Sequence, residues 1–295
     1  MQKRYQEMSM MHLLNRTLYL NEKKGLVVTR DGPSIWVKED GKAGWRIPAR
    51  LIGHVIIIGN VRLDAGTITL FTDNNIPVTF LNKKGNEVAL TVPYNHNLNS
   101  HYEEQKSILV HEERVEKYRQ WLISERRKIQ LKVITKLSRK VGDVFKSNGF
   151  REVDYSDFIK RYVSVSKNRW DHVNSIISSY LMEMVLRSII SADLDPHIGI
   201  YNRWHNFGMA LDIFYAMEPE ADIQTIQFFK TKKANDYLIQ SSTGLRLTEE
   251  GLRDVVQRFE NKKKFTQRLI DNVLDGLFEI MRYIRTLPET KINIR

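Results

Sequence analysis

Asp212 and Tyr215 stand three residues apart in the run Phe207 to Met217, whose apolar members Phe207, Leu211 and Phe214 repeat at helical spacing. That spacing predicts a helix and sets the carboxylate beside the phenol on one face. Just upstream lies Ala192-Asp193-Leu194-Asp195-Pro196-His197-Ile198-Gly199-Ile200-Tyr201-Asn202. There Asp195-Pro196 ends a preceding helix, because proline disfavours a helical residue before it. A carboxylate meeting an Asn-bearing loop is a place where a hard cation or a phosphate can sit. Asp212, the amide of Asn202 and the imidazole of His205 are the candidate metal ligands. They make a weak set, since Mg²⁺ calls for several hard oxygens in good geometry.

Other groupings carry less. His111-Glu112-Glu113-Arg114 has no second His four residues on, so it is not a zinc-peptidase motif. Lys83-Lys84-Gly85 lacks the glycines of a phosphate loop. Glu218, Glu220 and Asp222 follow Asp212 closely, but Pro219 predicts that the helix has ended and that these acids are solvated in a loop.

Charge points to a polyanion. The 295 residues carry 46 Lys and Arg against 35 Asp and Glu, a net charge of +11. Ten of the cations, Arg114, Lys117, Arg119, Arg126, Arg127, Lys128, Lys132, Lys136, Arg139 and Lys140, fall in one segment with only Glu116 and Glu125 to oppose them. DNA is the partner this predicts. Basic residues also sit beside aromatics, as in Arg119 with Trp121, Arg169 with Trp170, Arg203 with Trp204, and Lys262 to Lys264 before Phe265. Zero cysteines exclude disulfides, thiolate catalysis and cysteine zinc sites, and fit a reducing cytoplasm or a hot one. No secretory signal is read near Met1, and no stretch is read as the ~20 apolar residues of a membrane span.

The elements that must position these groups divide in two. Residues 1–95 alternate and turn like a β domain, with strands at Thr17–Leu20, Leu26–Thr29, Ser34–Val37, Gly44–Ile47 and a central one at His54–Ile58. A short helix is expected over Asp64–Asp73, then a hairpin through Lys84-Gly85. Pro93 to Ser100 reads as a linker. Residues 96–295 turn helical. One long helix is expected from about Arg114 to Asn148-Gly149, with Tyr118, Leu122, Ile129, Val133, Leu137, Val141 and Val144 as its apolar stripe. Helices follow over Ser156–Val163, Val173–Ala192, Thr248–Lys264 and Thr266–Thr286. The fold class is α+β: a small β domain, then a larger helical domain.

Asn174, Tyr180, the A-D-L-D-P-H-I-G-I run, A-L-D-I at 210–213 and Gly244-Leu245-Arg246-Leu247-Thr248-Glu249-Glu250-Gly251 together resemble the CRISPR-associated "Cas-one" endonuclease, the spacer-acquisition integrase. The I-I-I-G-N-V and I-P-V-T-F-L segments of the β domain look like it too. The resemblance covers nearly the whole chain. It implies a homodimer through the β domains, a small "Cas-two" partner protein, DNA as substrate, and Mg²⁺ or Mn²⁺ held by a Glu, a His and acidic residues. Residue by residue, Val141 stands in the family's Glu slot, Asn202 in its His slot and Tyr215 in its second acidic slot, while Asp212 is retained. A DNA-binding protein of spacer acquisition with lost or weakened nuclease and strand-transfer activity, working beside an active paralogue, is the first reading. An active nuclease using Asp212 with His205, and a basic accessory protein unrelated to integration, are the alternatives.

Overall fold

The structure, a computed structural model, describes residues 16–74, 76–82, 87–91, 99–163, 165–231, 233–234, 236–241 and 244–287. The chain forms two compact units, Met1–Asn97 and Leu98–Arg295. The class is α+β.

In the first unit, β1 (Arg16–Asn21), β2 (Val27–Asp31), β3 (Ser34–Lys38), β4 (Trp45–Pro48), β5 (Ile52–Ile58), β6 (Arg62–Leu63), β7 (Val78–Leu81) and β8 (Glu87–Thr91) build two sheets, ordered β1-β5-β7-β8 and β4-β3-β2-β6. Strand β5 pairs in parallel with both β1 and β7. Val55, Ile56 and Ile57 are all buried, which is why this strand reads as an unbroken apolar run rather than an alternating one. Helix α1 (Ala65–Asp73) begins where Asp64 accepts the Thr67 N–H at 2.6 Å, an N-cap that satisfies one of its free donors. Its Leu70 and Phe71 share a core with Val28, Ile35 and Val37 of one sheet and Val55, Ile57 and Val78 of the other. The turn expected at Lys84-Gly85, and most of the Pro93–Ser100 linker, lie outside the described residues.

The second unit contains α2 (Tyr102–Leu109), α3 (Glu112–Leu137), α4 (Arg139–Asn148), α5 (Glu152–Lys160), α6 (Lys167–Ser191), α7 (Gly208–Phe229), the hairpin β9 (Leu238–Ser241) and β10 (Gly244–Leu247), and α8 (Glu249–Thr286). Three expectations are corrected. The single long helix is two, because Ser138 is extended at φ −152°, ψ 104° and turns the chain between α3 and α4. A Cβ on Gly142 would meet Thr135 Oγ1 at 2.4 Å and its Cα at 2.8 Å, so the corner closes only around a glycine. The two C-terminal helices are one, α8, which starts where Thr248 Oγ1 accepts the Gly251 N–H at 3.0 Å. And α7 runs straight through Pro219.

Helix α6 meets the length and apolarity of a membrane span, with a mean hydropathy of 1.2 over its most apolar window, contrary to the sequence reading. Two thirds of that window (67%) is buried inside the unit, as expected of a core helix packed against α7 and α8.

Candidate functional site

The site is built on the loop between α6 and α7. Gln105 on α2 is fully buried; its Nε2 donates to the Asp195 carbonyl at 2.9 Å and its Oε1 accepts the Asp195 N–H at 2.8 Å. The Pro196 carbonyl accepts the N–H groups of Met209 and Ala210 at the start of α7, at 3.0 and 3.3 Å. The two ends of the loop touch: a Cβ on Gly199 would sit 2.4 Å from the Gly208 carbonyl carbon. Phe207 adopts the left-handed conformation at φ 59° to make the entry into α7.

Asp212, fully buried on α7, ties this loop down. Its Oδ2 accepts the N–H groups of Ile200 at 2.8 Å and Tyr201 at 3.0 Å, and the Tyr118 hydroxyl at 3.1 Å. Its Oδ1 accepts the Asn202 N–H at 2.8 Å and the Asn202 Nδ2 at 2.9 Å. Burial pushes the carboxyl above its usual pKa, and the N–H donors from the loop pull it back. Five donors occupy a group that offers roughly four lone-pair sites.

These donors take up the carboxylate's lone-pair sites, and the other residues singled out from the sequence have surroundings of their own. Asn202 turns its amide N–H₂ inward to Asp212. His205 is exposed, its backbone N–H on the Asn202 carbonyl at 3.1 Å. Val141, on α4, packs against the cluster of Val133, Ile134, Tyr155 and Phe158. Tyr215 lies stacked on Tyr201, ring centroids 5.4 Å apart and planes at 22°, with the Arg126 guanidinium 4.3 Å from its own ring centroid. Among the described residues no three His, Cys, Asp or Glu side chains form a group fit for a metal. The residues present do not fit the Mg²⁺ or Mn²⁺ that the resemblance implies, and Asp212, Asn202 and His205 do not form a ligand set.

The acids after Pro219 are not solvated loop groups. Glu220 and Asp222 lie on α7, Glu220 buried and Asp222 turned into the unit. Asp222 accepts the Tyr155 hydroxyl at 2.9 Å and the Asn174 amide at 3.5 Å, and burial, aided by Glu218, pushes its carboxyl up to about 6. Proline is tolerated because its cost is met from another helix. Pro219 has no N–H for the Tyr215 carbonyl four residues back, and Arg126 Nη1 donates to that carbonyl instead. The same guanidinium pairs with Glu218 at 2.7 Å and with Glu152 at 2.7 Å. Burial works against its charge, but the two glutamates outweigh that and raise its pKa further. Arg126 therefore leaves the DNA-binding set: its side chain is 8% exposed. Arg114 is buried too, donating to the Ser107 carbonyl at 3.1 Å.

Eight of the ten cations remain outside the core. Lys128, Lys132 and Lys136 recur every fourth residue and so line one face of α3. The sequence pattern sets Lys262 to Phe265 apart from them, yet the Lys136 ammonium stands 5.8 Å from the Phe265 ring centroid, and Lys264 and Arg268, one position before and three after that ring on α8, are exposed. Only tertiary packing reveals that junction. Tyr118 and Gln105, the supports of the loop, escape sequence reasoning; as a stripe residue and a plain helix residue they give no local signal.

A β unit, a helical unit and an L-D-P loop locked to an aspartate on the following helix define an α+β protein whose helical unit is organised around one buried carboxylate. The family model described as CRISPR associated protein Cas1 matches residues 18–155 and 157–261, and the chain belongs to that family. It is 25% identical over 254 residues to the CRISPR-associated endonuclease Cas1 of Thermotoga maritima, covering 75% of this chain and 79% of that protein. In fold it is similar to the solved structure of a CAS1 protein from Thermotoga maritima, with a TM-score of 0.73 at 18% identity over 92% of this chain and 97% of the other. A casposase bound to integration product gives a TM-score of 0.71 at 17% identity, over 95% and 94% of the two chains.

Proposed function

We propose that this chain is a DNA-binding member of the spacer-acquisition machinery in which metal-dependent cutting and joining have been lost and the scaffold kept. The observation that carries this is the state of Asp212, whose carboxylate is occupied by five donors from its own protein. A cation that neutralises a scissile phosphate needs several free hard donors, and Val141 in an apolar cluster has none to give. The family relationship and the basic face of α3 and α8 support DNA as the partner; the related casposase was solved bound to integration product. On this reading the chain works in the cytoplasm as a homodimer through its β unit, with the small "Cas-two" protein or an active paralogue.

The test is cleavage and strand transfer on branched and linear DNA in Mg²⁺ and Mn²⁺. Neither is expected above background, while DNA is still retained in a gel-shift assay. Robust metal-dependent cleavage by the purified natural protein overturns the proposal. A gain of cleavage in a variant combining Val141→Glu, Asn202→His and Tyr215→Asp would support it, since the scaffold would then still position DNA.

A further inference from the structure

Glu220, Gln224, Gln227 and Phe228 recur at three- and four-residue spacing, so they share a face of α7, turned away from that of Tyr215, Glu218 and Asp222. On α8, Val255, Arg258 and Lys262 share a face in the same way. Between these two faces and α6 lies a cavity of about 220 Å³. Ile177, Phe228 and Val255, all buried, give it an apolar wall. The rest of its lining is polar: the cations Arg258 and Lys262, one helical turn apart, and the amides of Gln224, Gln227 and Asn261. None of these groups belongs to the site around Asp212.

Packed core helices gain nothing by turning amides and cations towards each other, because polar groups taken from water cost free energy unless they are matched. The matching here leaves a defined remainder. Gln224 Nε2 donates to the buried Glu220 carboxylate at 2.9 Å, and the Lys262 ammonium donates to Gln227 Oε1. Gln224 thus keeps its amide acceptor and Gln227 its amide donors, while an ammonium has three N–H groups to give. Arg258 bonds Asp254 through Nε at 2.6 Å and keeps the fork of its terminal nitrogens.

We propose that this cavity binds a mononucleotide, its base against the apolar wall with an edge on the amides, and its phosphate on Arg258 and Lys262. A purine edge sets a donor beside an acceptor, which is the pattern side-chain amides match. The volume falls below the roughly 300–1,000 Å³ of pockets for drug-sized ligands, so it suits one ring system and excludes a duplex. Burial pulls the Lys262 ammonium below its usual pKa and Glu220 only partly restores it. A phosphate brought to that ammonium supplies the counter-charge. The inference does not depend on the DNA-binding reading, since a free nucleotide needs no strand. A purely structural polar network is the competing account.

Isothermal titration calorimetry with AMP, adenosine and inorganic phosphate, on the natural protein and on Lys262→Met, Arg258→Met and Gln227→Met, tests it. AMP should bind the natural protein more tightly than either adenosine or phosphate. By the usual strength of a hydrogen bond to a charged group, Lys262→Met and Arg258→Met should each weaken AMP by about tenfold and leave adenosine within about twofold. Gln227→Met should weaken AMP and adenosine alike. Thermal unfolding separates binding from a structural role: AMP should raise the midpoint of the natural protein and not that of Lys262→Met. No binding of AMP at millimolar concentration overturns the proposal. So does phosphate binding as tightly as AMP, or AMP affinity that Lys262→Met and Arg258→Met leave unchanged.

Discussion

At the scale of single residues, the same side chain can be read two ways from its neighbours in sequence and only one way from its neighbours in space. Asp212 beside an Asn-bearing loop suggests a ligand, and its isolation among Val141, Asn202 and Tyr215 suggests that the ligand set is broken. What no local pattern shows is that the loop's own N–H groups turn onto the carboxylate, because hydrogen bonds from residues ten to twelve positions away leave no periodic signature. Asp222 is misread from sequence for a related reason: the proline before it looks like a helix end. Its burial makes a prediction with a definite sign. A carboxyl raised from 3.8 to about 6 in the folded protein binds its proton more tightly there than in the unfolded chain. Its contribution to stability is therefore greatest below about pH 4 and is lost as pH rises through 6, by up to about 3 kcal/mol. Asp222→Asn keeps an acceptor for Tyr155 and removes the titration. Thermal unfolding of the natural protein and the variant at pH 4.5 and 7 should show the variant gaining on the natural protein at the higher pH. An equal difference at both would contradict the assignment.

At the scale of elements, most strands of the first unit and the starts of α1 and α8 are legible in the sequence because alternation, turn residues and N-caps are local, whereas the β9–β10 hairpin falls where an all-α domain is expected. The α3–α4 corner is not legible either, because its cause is the close approach of Gly142 to Thr135 rather than a breaker: Ser138 alone is a poor stop signal, and the apolar stripe carries on past it. Gly142→Ala should force α4 off α3 and cost about 1–3 kcal/mol, as overpacking of a closed junction does. The denaturation midpoint in urea is the measurement; a midpoint equal to that of the natural protein would mean that the corner opens freely. The fusion of the two expected C-terminal helices into α8 is the converse case. Lys262 to Lys264 interrupt the apolar pattern but do not break a helix, since lysine is a good helix former.

At the scale of the whole molecule, the α+β class and the family are legible in the sequence from motif order, and the basic character from composition. The geometry of the basic surface is not. Arg114 and Arg126, two of its expected members, are interior, and Lys136 meets Phe265 from a helix far along the chain. Reversing Lys128, Lys132 and Lys136 to Glu should weaken duplex binding for all sequences alike. It should also flatten the dependence of affinity on salt, by about 0.9 in log–log slope for each phosphate left unneutralised. Affinity measured from ~50 to ~200 mM salt decides it, and an unaltered slope would move the interface elsewhere.

The bond from Arg126 to the Tyr215 carbonyl has one more consequence. Helices usually form their rungs from their own chain, so that secondary structure can precede packing. In α7 the rung opposite Pro219 is supplied by α3, from a residue 89 positions earlier. Docking of α3 thus supplies the partner that the Tyr215 carbonyl does not find in its own helix. Here a stretch of secondary structure is finished by an act of tertiary assembly.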